Sequence, residues 1–190
     1  LTSSKEISIS IGVCGEIEKN YFMGRSGARE NDHIFITGDL GEAFIGLNLL
    51  KNKKKKLSSK EKIYLNRFLR PSIEIAFSQE LSKLANSCID ISDGLLGDLK
   101  HICEESNLGA KIYLEDIPFV GEYENALTWG DDYQLCFTAS SKNLEKIYKM
   151  ARTHKIKLSK IGSMKKGKGI SVFSNGKKIA LKKAGYNHFK

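Results

Sequence analysis

Short strand-like runs alternate with helical patterns along the chain, and this order restricts the fold more than any other feature of the sequence. Alternating or clustered apolar residues predict strands over 6–17, 33–38, 88–92, 111–117, 133–140 and 157–164. Apolar residues at helical spacing predict helices over 41–52, 58–70, 72–85, 94–107 and 142–155. A hairpin turning at Ser174-Asn175-Gly176 requires antiparallel neighbours. The sequence therefore predicts an α+β fold, with a mixed, largely antiparallel sheet covered by helices, in a single domain over 1–190.

Local signals mark two helix boundaries and suggest the core. Ser58 followed by Glu61 forms a capping-box pattern that predicts the start of the second helix. Pro71 restricts the residue before it and predicts that this helix ends there. The predicted core residues stand at strand or helix spacing and are Ile7, Ile9, Ile11, Val13, Phe44, Leu47, Leu50, Ile75, Phe77, Leu81 and Leu84.

Charge and cysteine content narrow the functional classes. The formal net charge is +9, and part of the excess is the lysine run KNKKKK (51–56). Such runs without interleaved Arg and aromatic residues are usually solvated surface, so nucleic-acid binding is the weaker alternative. No apolar run reaches the length of a membrane-spanning helix. Cys14, Cys88, Cys103 and Cys136 form no C-x-x-C pair and stand in apolar contexts, which predicts buried, reduced thiols in a cytoplasmic protein.

The sequence D-I-S-D-G (90–94) is the strongest candidate for a site. It lies where a predicted strand leads into a predicted helix, and strand alternation directs Asp90 and Ser92 to the same side. Asp93 at the turn can lean toward the same region. Carboxylates grouped in this way suit Mg²⁺, and the N–H groups at the start of a helix favour phosphate. The alternative is that Ser92 or Asp93 only caps the helix.

Three further groups are weaker candidates. Arg25, between glycines in M-G-R-S-G-A-R, presents a guanidinium suited to phosphate, although such arginines are more often surface residues. Asp131 and Asp132 are adjacent carboxylates before a predicted strand, which suggests a partner or a ligand, with an exposed polar turn as the alternative. The aromatic cluster in G-Y-N-H-F (185–189) is interpreted as a packing anchor, with ligand binding as the alternative.

The order of these motifs resembles a known family. In sequence they are G-R-S-G-A (24–28), R-P-S (70–72), A-N-S-C-I-D-I-S-D-G-L-L-G-D-L-K-H-I (85–102), G-D-D-Y-Q-L-C-F (130–137) and G-Y-N-H-F. Together they resemble the C-terminal domain of thiamine-monophosphate kinases, which share an ATP-using superfamily with aminoimidazole ribonucleotide synthetase. The resemblance implies that fold, together with transfer of the ATP γ-phosphate to thiamine monophosphate to give thiamine diphosphate and ADP. It also implies Mg²⁺ ions held mostly by aspartates.

Site residues follow from the same resemblance. It implies two metal ligands, two ATP contacts and two substrate contacts, which are in that order Asp90, Asp93, Arg25, Ser92, Asp131 and Tyr186. The chain departs from the family at the substrate end. Trp129-Gly130-Asp131 stands where the family has Gly-Gly-Glu, and Gln134 replaces a second Glu.

The resemblance also concerns residues that this sequence lacks. In the family an N-terminal domain supplies most of the metal ligands and forms a homodimer, and its motifs are not found here. We expect the chain to be a C-terminal fragment that has no kinase activity alone. Two alternatives stay open: another ATP-using member of the superfamily, such as selenophosphate synthetase, and a nucleotide-binding module without catalysis.

Overall fold

The computed structural model describes residues 9–18, 21–53 and 55–180. Within these residues seven strands form one sheet: β1 (His33–Thr37), β2 (Ser87–Asp90), β3 (Gly109–Tyr113), β4 (Leu135–Ala139), β5 (Leu158–Lys165), β6 (Gly169–Ser174) and β7 (Lys177–Ile179). The helices of this part of the chain are α1 (Glu42–Lys51), α2 (Ser59–Leu69), α3 (Ile75–Leu81), α4 (Leu95–Glu105), α5 (Tyr123–Thr128) and α6 (Leu144–Thr153).

The sheet has the strand order β2-β4-β1-β5-β3-β6-β7. All neighbouring strands are antiparallel except β3 and β6, which run parallel. The β6–β7 hairpin turns at Asn175 and Gly176, whose φ angles of 48° and 75° are typical of a tight hairpin turn. The predicted α+β fold with a largely antiparallel sheet and the predicted hairpin are therefore confirmed.

Alternation along β1 divides the core between the two faces of the sheet. Ile34 and Ile36 belong to a cluster that includes the apolar face of α4, whereas Phe35 belongs to a second cluster with α3 and α6. In the second cluster Phe35 stacks on Phe137 of β4, with ring centroids 5.1 Å apart. Both faces of the sheet around β1 are thus covered, which fixes the ends of β2 and β4 that carry the candidate site.

Helix boundaries follow the predicted signals closely. The capping box at Ser58 is present, since its side chain accepts a hydrogen bond from the Glu61 N–H and Glu61 returns one to the Ser58 N–H. Helix α2 ends at Leu69, before Pro71, as predicted. The third helix is shorter than predicted at both ends, since it runs only from Ile75 to Leu81.

The first predicted strand is wrong over its described part. Residues 9–18 form no strand, and Ile9, Ile11 and Val13 are exposed, while Ile7 lies outside the described residues. Alternation predicts which residues would share a face, but a strand also needs a neighbour to pair with. Within the described ranges no strand pairs with this segment.

Other core predictions divide in the same way. Phe77 and Leu81 are buried in the second cluster, and Leu84 packs against it. Leu50 and Ile75 are exposed instead, because each lies at one end of its helix, where fewer neighbours surround the side chain. Helix α5 was not predicted, since six residues are too few to show a helical period.

The cysteine prediction is correct for three of four residues. Cys88, Cys103 and Cys136 are buried with free thiols, and burial raises the pKa of Cys88 to about 12. Cys14 is exposed, so its predicted burial is wrong, because the predicted strand over 6–17 that would have contained it is not formed in the described part.

The lysine run is solvated over its described part. Lys51, Lys53, Lys55 and Lys56 are exposed, as predicted, and residue 54 lies outside the described residues. Among the helices of the described ranges, none combines the length and the apolar composition that crossing a membrane requires.

Close packing of α1 on α2 makes a small residue necessary at Gly46. A Cβ atom there would overlap the carbonyl oxygen of Tyr64 on α2. Replacing an ordinary helical Gly by Ala stabilises a helix by roughly 0.5–1 kcal/mol. We expect Gly46→Ala to have the opposite sign and to lower the free energy of unfolding by about 1–3 kcal/mol, the usual cost of overpacking.

Chemical denaturation of the purified chain measures this change. Lys51→Ala, on the exposed end of the same helix, is the control and is expected to stay within roughly 0.5 kcal/mol of wild type. A Gly46→Ala variant as stable as wild type would show that α1 and α2 can separate without cost.

Candidate active site

The candidate site is built on the loop that follows β2. Asp90 is the last residue of the strand and is exposed, while Ser92 and Asp93 are half-buried in the loop. The predicted strand over 88–92 therefore ends too late, and alternation does not direct Ser92. Ile91 between them is fully buried, which fixes the loop to the core.

The alternative of a simple helix cap is not supported. Helix α4 begins at Leu95, and its N-cap residue is Gly94, which has no side chain for capping. Gly94 has a φ of 98°, a conformation that glycine adopts without strain. A Cβ atom there would lie 2.7 Å from the carbonyl carbon of Thr128. Neither Ser92 nor Asp93 is therefore the N-cap residue.

A buried carboxylate in α4 holds this loop. Oδ2 of Asp98 accepts hydrogen bonds from the backbone N–H groups of Ser92 and Asp93, both at 3.0 Å. Burial raises the pKa of Asp98, and these two hydrogen bonds oppose that rise. The sequence prediction missed this residue, although an acid in the first turn of a helix after a polar loop is a usable signal.

The second acidic motif is hydrogen-bonded directly to the same loop. The Asp131 N–H donates to the Ser92 carbonyl at 3.1 Å, and the Tyr133 N–H donates to the Ile91 carbonyl at 2.9 Å. A Cβ atom on Gly130 would overlap the Ser92 carbonyl oxygen, so only glycine fits there. The two motifs that the sequence separates by about forty residues are therefore in contact.

Three of the predicted site carboxylates act on one phenol. The pKa of Tyr133 is raised by its burial and then by the charges of three nearby carboxylates, those of Asp131, Asp90 and Asp93. Within the described residues no group of three His, Cys, Asp or Glu side chains lies close enough to form a metal site by itself. Mg²⁺ commonly uses one or two carboxylates together with phosphate oxygens and water, and Asp90 with Asp93 fits that donor set.

The backbone is strained in the segment that carries Asp131 and Tyr133. Asp131 and Tyr133 have φ angles of 68° and 49°, in the left-handed region that residues other than glycine rarely occupy. Such strain persists only where the surrounding structure imposes it, and it concentrates at functional sites. The hydrogen bonds to the loop after β2 are the constraint that imposes it here.

Asp132 has a structural partner, unlike the exposed turn considered as an alternative. Its carboxylate accepts hydrogen bonds from the N–H groups of Gly41 at 2.8 Å and Ala43 at 3.2 Å, at the start of α1. Burial raises the pKa of Asp132 from its ordinary value of 3.8 to about 6, against the lowering effect of those hydrogen bonds. The side chain therefore links α1 to the loop before β4.

The residues that depart from the family pattern are held by α1 and β1. The Trp129 ring packs against Phe44 of α1, with centroids 5.1 Å apart. Gln134 Oε1 accepts a hydrogen bond from the Thr37 hydroxyl at 2.8 Å, and the same hydroxyl accepts the Leu135 N–H at 2.9 Å. An amide at 134 therefore fits its surroundings without adding another negative charge.

Arg25 approaches the site from the free edge of β2. The Gly24 carbonyl accepts the Cys88 N–H at 2.9 Å, which places this segment beside the strand. Arg25 and Asp90 line the same cavity of about 600 Å³. The structure thus brings Arg25, Asp90, Ser92, Asp93 and Asp131 to one region, while Tyr186 lies outside the described residues.

Comparison with known proteins places this site in a wider context. Residues 29–175 match the family described as AIR synthase related protein, C-terminal domain. The chain is 40% identical over 200 residues to the thiamine-monophosphate kinase of Buchnera aphidicola subsp. Schizaphis graminum, and 36% identical over 200 residues to that of Escherichia coli K12. Each alignment covers 99% of this chain and 62% of the relative.

Solved structures are also similar to this chain. AaThiL complexed with AMPPCP and TMP is similar with a TM-score of 0.75 and 33% identity, over 88% of this chain and 54% of that chain. The chain therefore spans only part of its relatives, 62% of the length in the two kinases compared.

Titration of Asp132 should make stability depend on pH. Because folding raises its pKa, Asp132 favours the folded state most below pH 4, and that contribution is lost as the pH rises through about 6. We expect the stability of wild type relative to Asp132→Asn to fall by up to about 3 kcal/mol between pH 4 and pH 7, since one pKa unit corresponds to about 1.4 kcal/mol.

Urea denaturation of both proteins across this pH range measures the difference. Asp116→Asn removes an exposed carboxylate and controls for the loss of one charge. A wild-type-minus-variant difference that is flat with pH, or that rises, would contradict the titration assigned to Asp132.

Proposed function

The chain belongs to the AIR synthase related protein family, whose C-terminal domain matches residues 29–175, and on this premise we propose that it is the C-terminal part of a thiamine-monophosphate kinase. The proposed reaction transfers the ATP γ-phosphate to thiamine monophosphate and gives thiamine diphosphate and ADP. One observation carries the proposal: the loop holding Asp90 and Asp93 is hydrogen-bonded to the loop holding Asp131. A metal-binding pair for the ATP phosphates and a carboxylate for the cationic substrate ring can thus act within one site.

The relatives support this choice among ATP-using enzymes. The curated relatives named above are thiamine-monophosphate kinases, and AaThiL has been solved with AMPPCP and TMP. The identity of 33–40% extends over almost the whole chain in the kinase relatives and over 88% of it in AaThiL. These likenesses support phosphoryl transfer, and the residues of the site give it a chemical basis.

Phosphoryl transfer between two anions needs alignment and neutralised charge more than covalent chemistry. In the proposed site Asp90 and Asp93 hold Mg²⁺, which supplies positive charge beside the phosphate oxygens. Arg25 adds a second cation from the edge of β2, where it shares a cavity with Asp90. Ser92 offers its hydroxyl to ATP from the same loop.

Asp131 is proposed to contact the substrate and not the metal. The thiazolium ring of thiamine is a cation, which a carboxylate and an aromatic face both favour. We assign these roles to Asp131 and Tyr186. Asp131 is one methylene shorter than the family's Glu, and Trp129 beside it packs on Phe44, so the substrate is expected to lie closer to the backbone of this loop.

Two further expectations come from the resemblance and stay predictions. The full-length protein, meaning one of the length of the curated relatives, is expected to be a cytoplasmic homodimer that forms through an N-terminal domain. Size measurement in solution tests the dimer. Nucleic acid is not expected among its partners, since the lysine run at 51–56 has no interleaved Arg or aromatic residues.

Asp90→Asn tests the metal-binding role. The amide is a weaker Mg²⁺ ligand than the carboxylate, so we expect the full-length enzyme to lose about 10- to 100-fold in rate at low Mg²⁺ and to recover part of it at high Mg²⁺. Steady-state kinetics with ATP and thiamine monophosphate over a range of Mg²⁺ concentrations measure this.

Asp116→Asn is again the matched control, because it removes an exposed aspartate on another part of the chain. An Asp90→Asn enzyme with an unchanged rate and a lower melting temperature would assign Asp90 a purely structural role.

The 190-residue chain alone is expected to form no thiamine diphosphate. In the family that the chain resembles, an N-terminal domain supplies most of the metal ligands, and its motifs are not found in this sequence. Chromatographic detection of thiamine diphosphate after incubation with ATP, Mg²⁺ and thiamine monophosphate measures this. Turnover by the 190-residue chain would refute the expectation, and full-length enzyme in the same assay is the positive control.

A further inference from the structure

Asp98 occupies an unusual position for an ionisable residue. It lies in the first turn of α4, and only 2% of its surface is exposed. One oxygen, Oδ2, accepts the N–H groups of both Ser92 and Asp93 at 3.0 Å. A charged acceptor makes stronger hydrogen bonds than a neutral one, and a single oxygen shared by two successive N–H groups fixes the peptide between them.

The same peptide segment is held from its other side. The Ser92 carbonyl accepts the Asp131 N–H at 3.1 Å, and Gly130 packs on that carbonyl so closely that no Cβ atom would fit. Asp98 therefore holds the two N–H groups of this segment, and the loop at 130–131 holds the Ser92 carbonyl. Between these two contacts the Ser92–Asp93 backbone has one position.

That position determines where the proposed ligands point. Asp90 is anchored by its pairing with Leu135 in the sheet, whereas Asp93 follows the strand and depends on the loop. A carboxylate binds Mg²⁺ well only if its oxygens are held in place relative to the other ligands, because Mg²⁺ requires nearly ideal octahedral geometry. A group that fixes the position of Asp93 therefore affects how tightly the site binds Mg²⁺.

We propose that Asp98 is a positioning residue for the loop at 91–94: through its two hydrogen bonds it orients Ser92 and Asp93 toward the metal and ATP without touching either. This inference rests on the proposed kinase function. Residues that orient metal ligands from outside typically change metal affinity or activity about 10- to 100-fold when they are replaced.

Three variants of the full-length enzyme test the inference. Asp98→Ala removes the acceptor, and we expect it to raise both the KM for Mg-ATP and the Mg²⁺ concentration needed for half-maximal rate by about 10- to 100-fold. Asp98→Asn keeps one oxygen that can accept both N–H groups, so we expect it to recover most of the Mg-ATP and Mg²⁺ affinity that Asp98→Ala loses. Asp32→Ala is the matched control.

Asp32 suits this purpose because its surroundings resemble those of Asp98. It is also 2% exposed, and Oδ2 accepts the Arg29 N–H and the Asn86 side-chain N–H, both at 2.8 Å. It stands before β1, at the opposite end of the strands from Asp90. We expect Asp32→Ala to lower the melting temperature while leaving the KM for Mg-ATP unchanged.

Three results would overturn the positioning role. One is an Asp98→Ala enzyme that folds and keeps the wild-type Mg²⁺ dependence. Another is an Asp98→Asn enzyme as impaired as Asp98→Ala, because charge and not hydrogen bonding would then matter. If Asp98→Ala does not fold, Asp98→Glu replaces it, since one added methylene displaces the loop. A wild-type Mg²⁺ requirement in the Glu variant is the third.

Nucleotide binding separates this inference from the proposed function. Titration of each full-length variant with a fluorescent ATP analogue and Mg²⁺ measures the affinity for nucleotide without any turnover. A wild type that binds the analogue but never phosphorylates thiamine monophosphate refutes the kinase proposal, and the affinity ratio of wild type to Asp98→Ala then decides the role of Asp98. A wild type that binds no nucleotide refutes both.

Discussion

The contact between two backbones, at the Ser92 carbonyl and Gly130, is the constraint on which the rest of the site depends. Strands β2 and β4 are neighbours in the sheet, so the loop after one meets the loop before the other. Hydrogen bonds from Asp131 and Tyr133 continue that pairing beyond the strands. Because these bonds join main-chain atoms, side chains from the two motifs can project into one region while the framework beneath them stays rigid.

Buried negative charge in this molecule is stabilised by backbone N–H groups. Asp98 and Asp132 each accept two such groups, one pair in the loop before α4 and the other at the start of α1. The chain has a net charge of +9, and the described lysines of the run at 51–56, which are Lys51, Lys53, Lys55 and Lys56, are exposed at the surface. Asp90, Asp93 and Asp131, which all lie near Tyr133, thus form an acidic region within a basic protein.

Much of the fold could be predicted from the sequence, because periodicity and turn chemistry act locally. The hairpin at 174–176, the capping box at Ser58 and the helix of α4 are examples. Local patterns failed where the outcome depended on a partner. Residues 9–18 alternate like a strand but have no neighbouring strand among the described residues, and α5 is too short to show a period.

The candidate site divides in the same way. Asp90, Asp93, Arg25 and Asp131 could be named from motifs, and the structure brings them to one region. The contacts of Asp98, Gly130 and Asp132 could not, since each is made with the backbone of another segment and forms only when the chain has folded. Sequence patterns thus identify groups that carry chemistry more readily than the groups that hold them in place.

The left-handed backbone at Asp131 also limits which amino acids that position can accept. Asp and Asn tolerate such φ angles better than residues with longer or β-branched side chains. Where the resemblance implies Glu, this chain carries the shorter acid at a φ of 68°. The substrate contact proposed for residue 131 is therefore subject to a conformational limit, and any redesign of substrate preference at this position has to satisfy the main chain before the ligand.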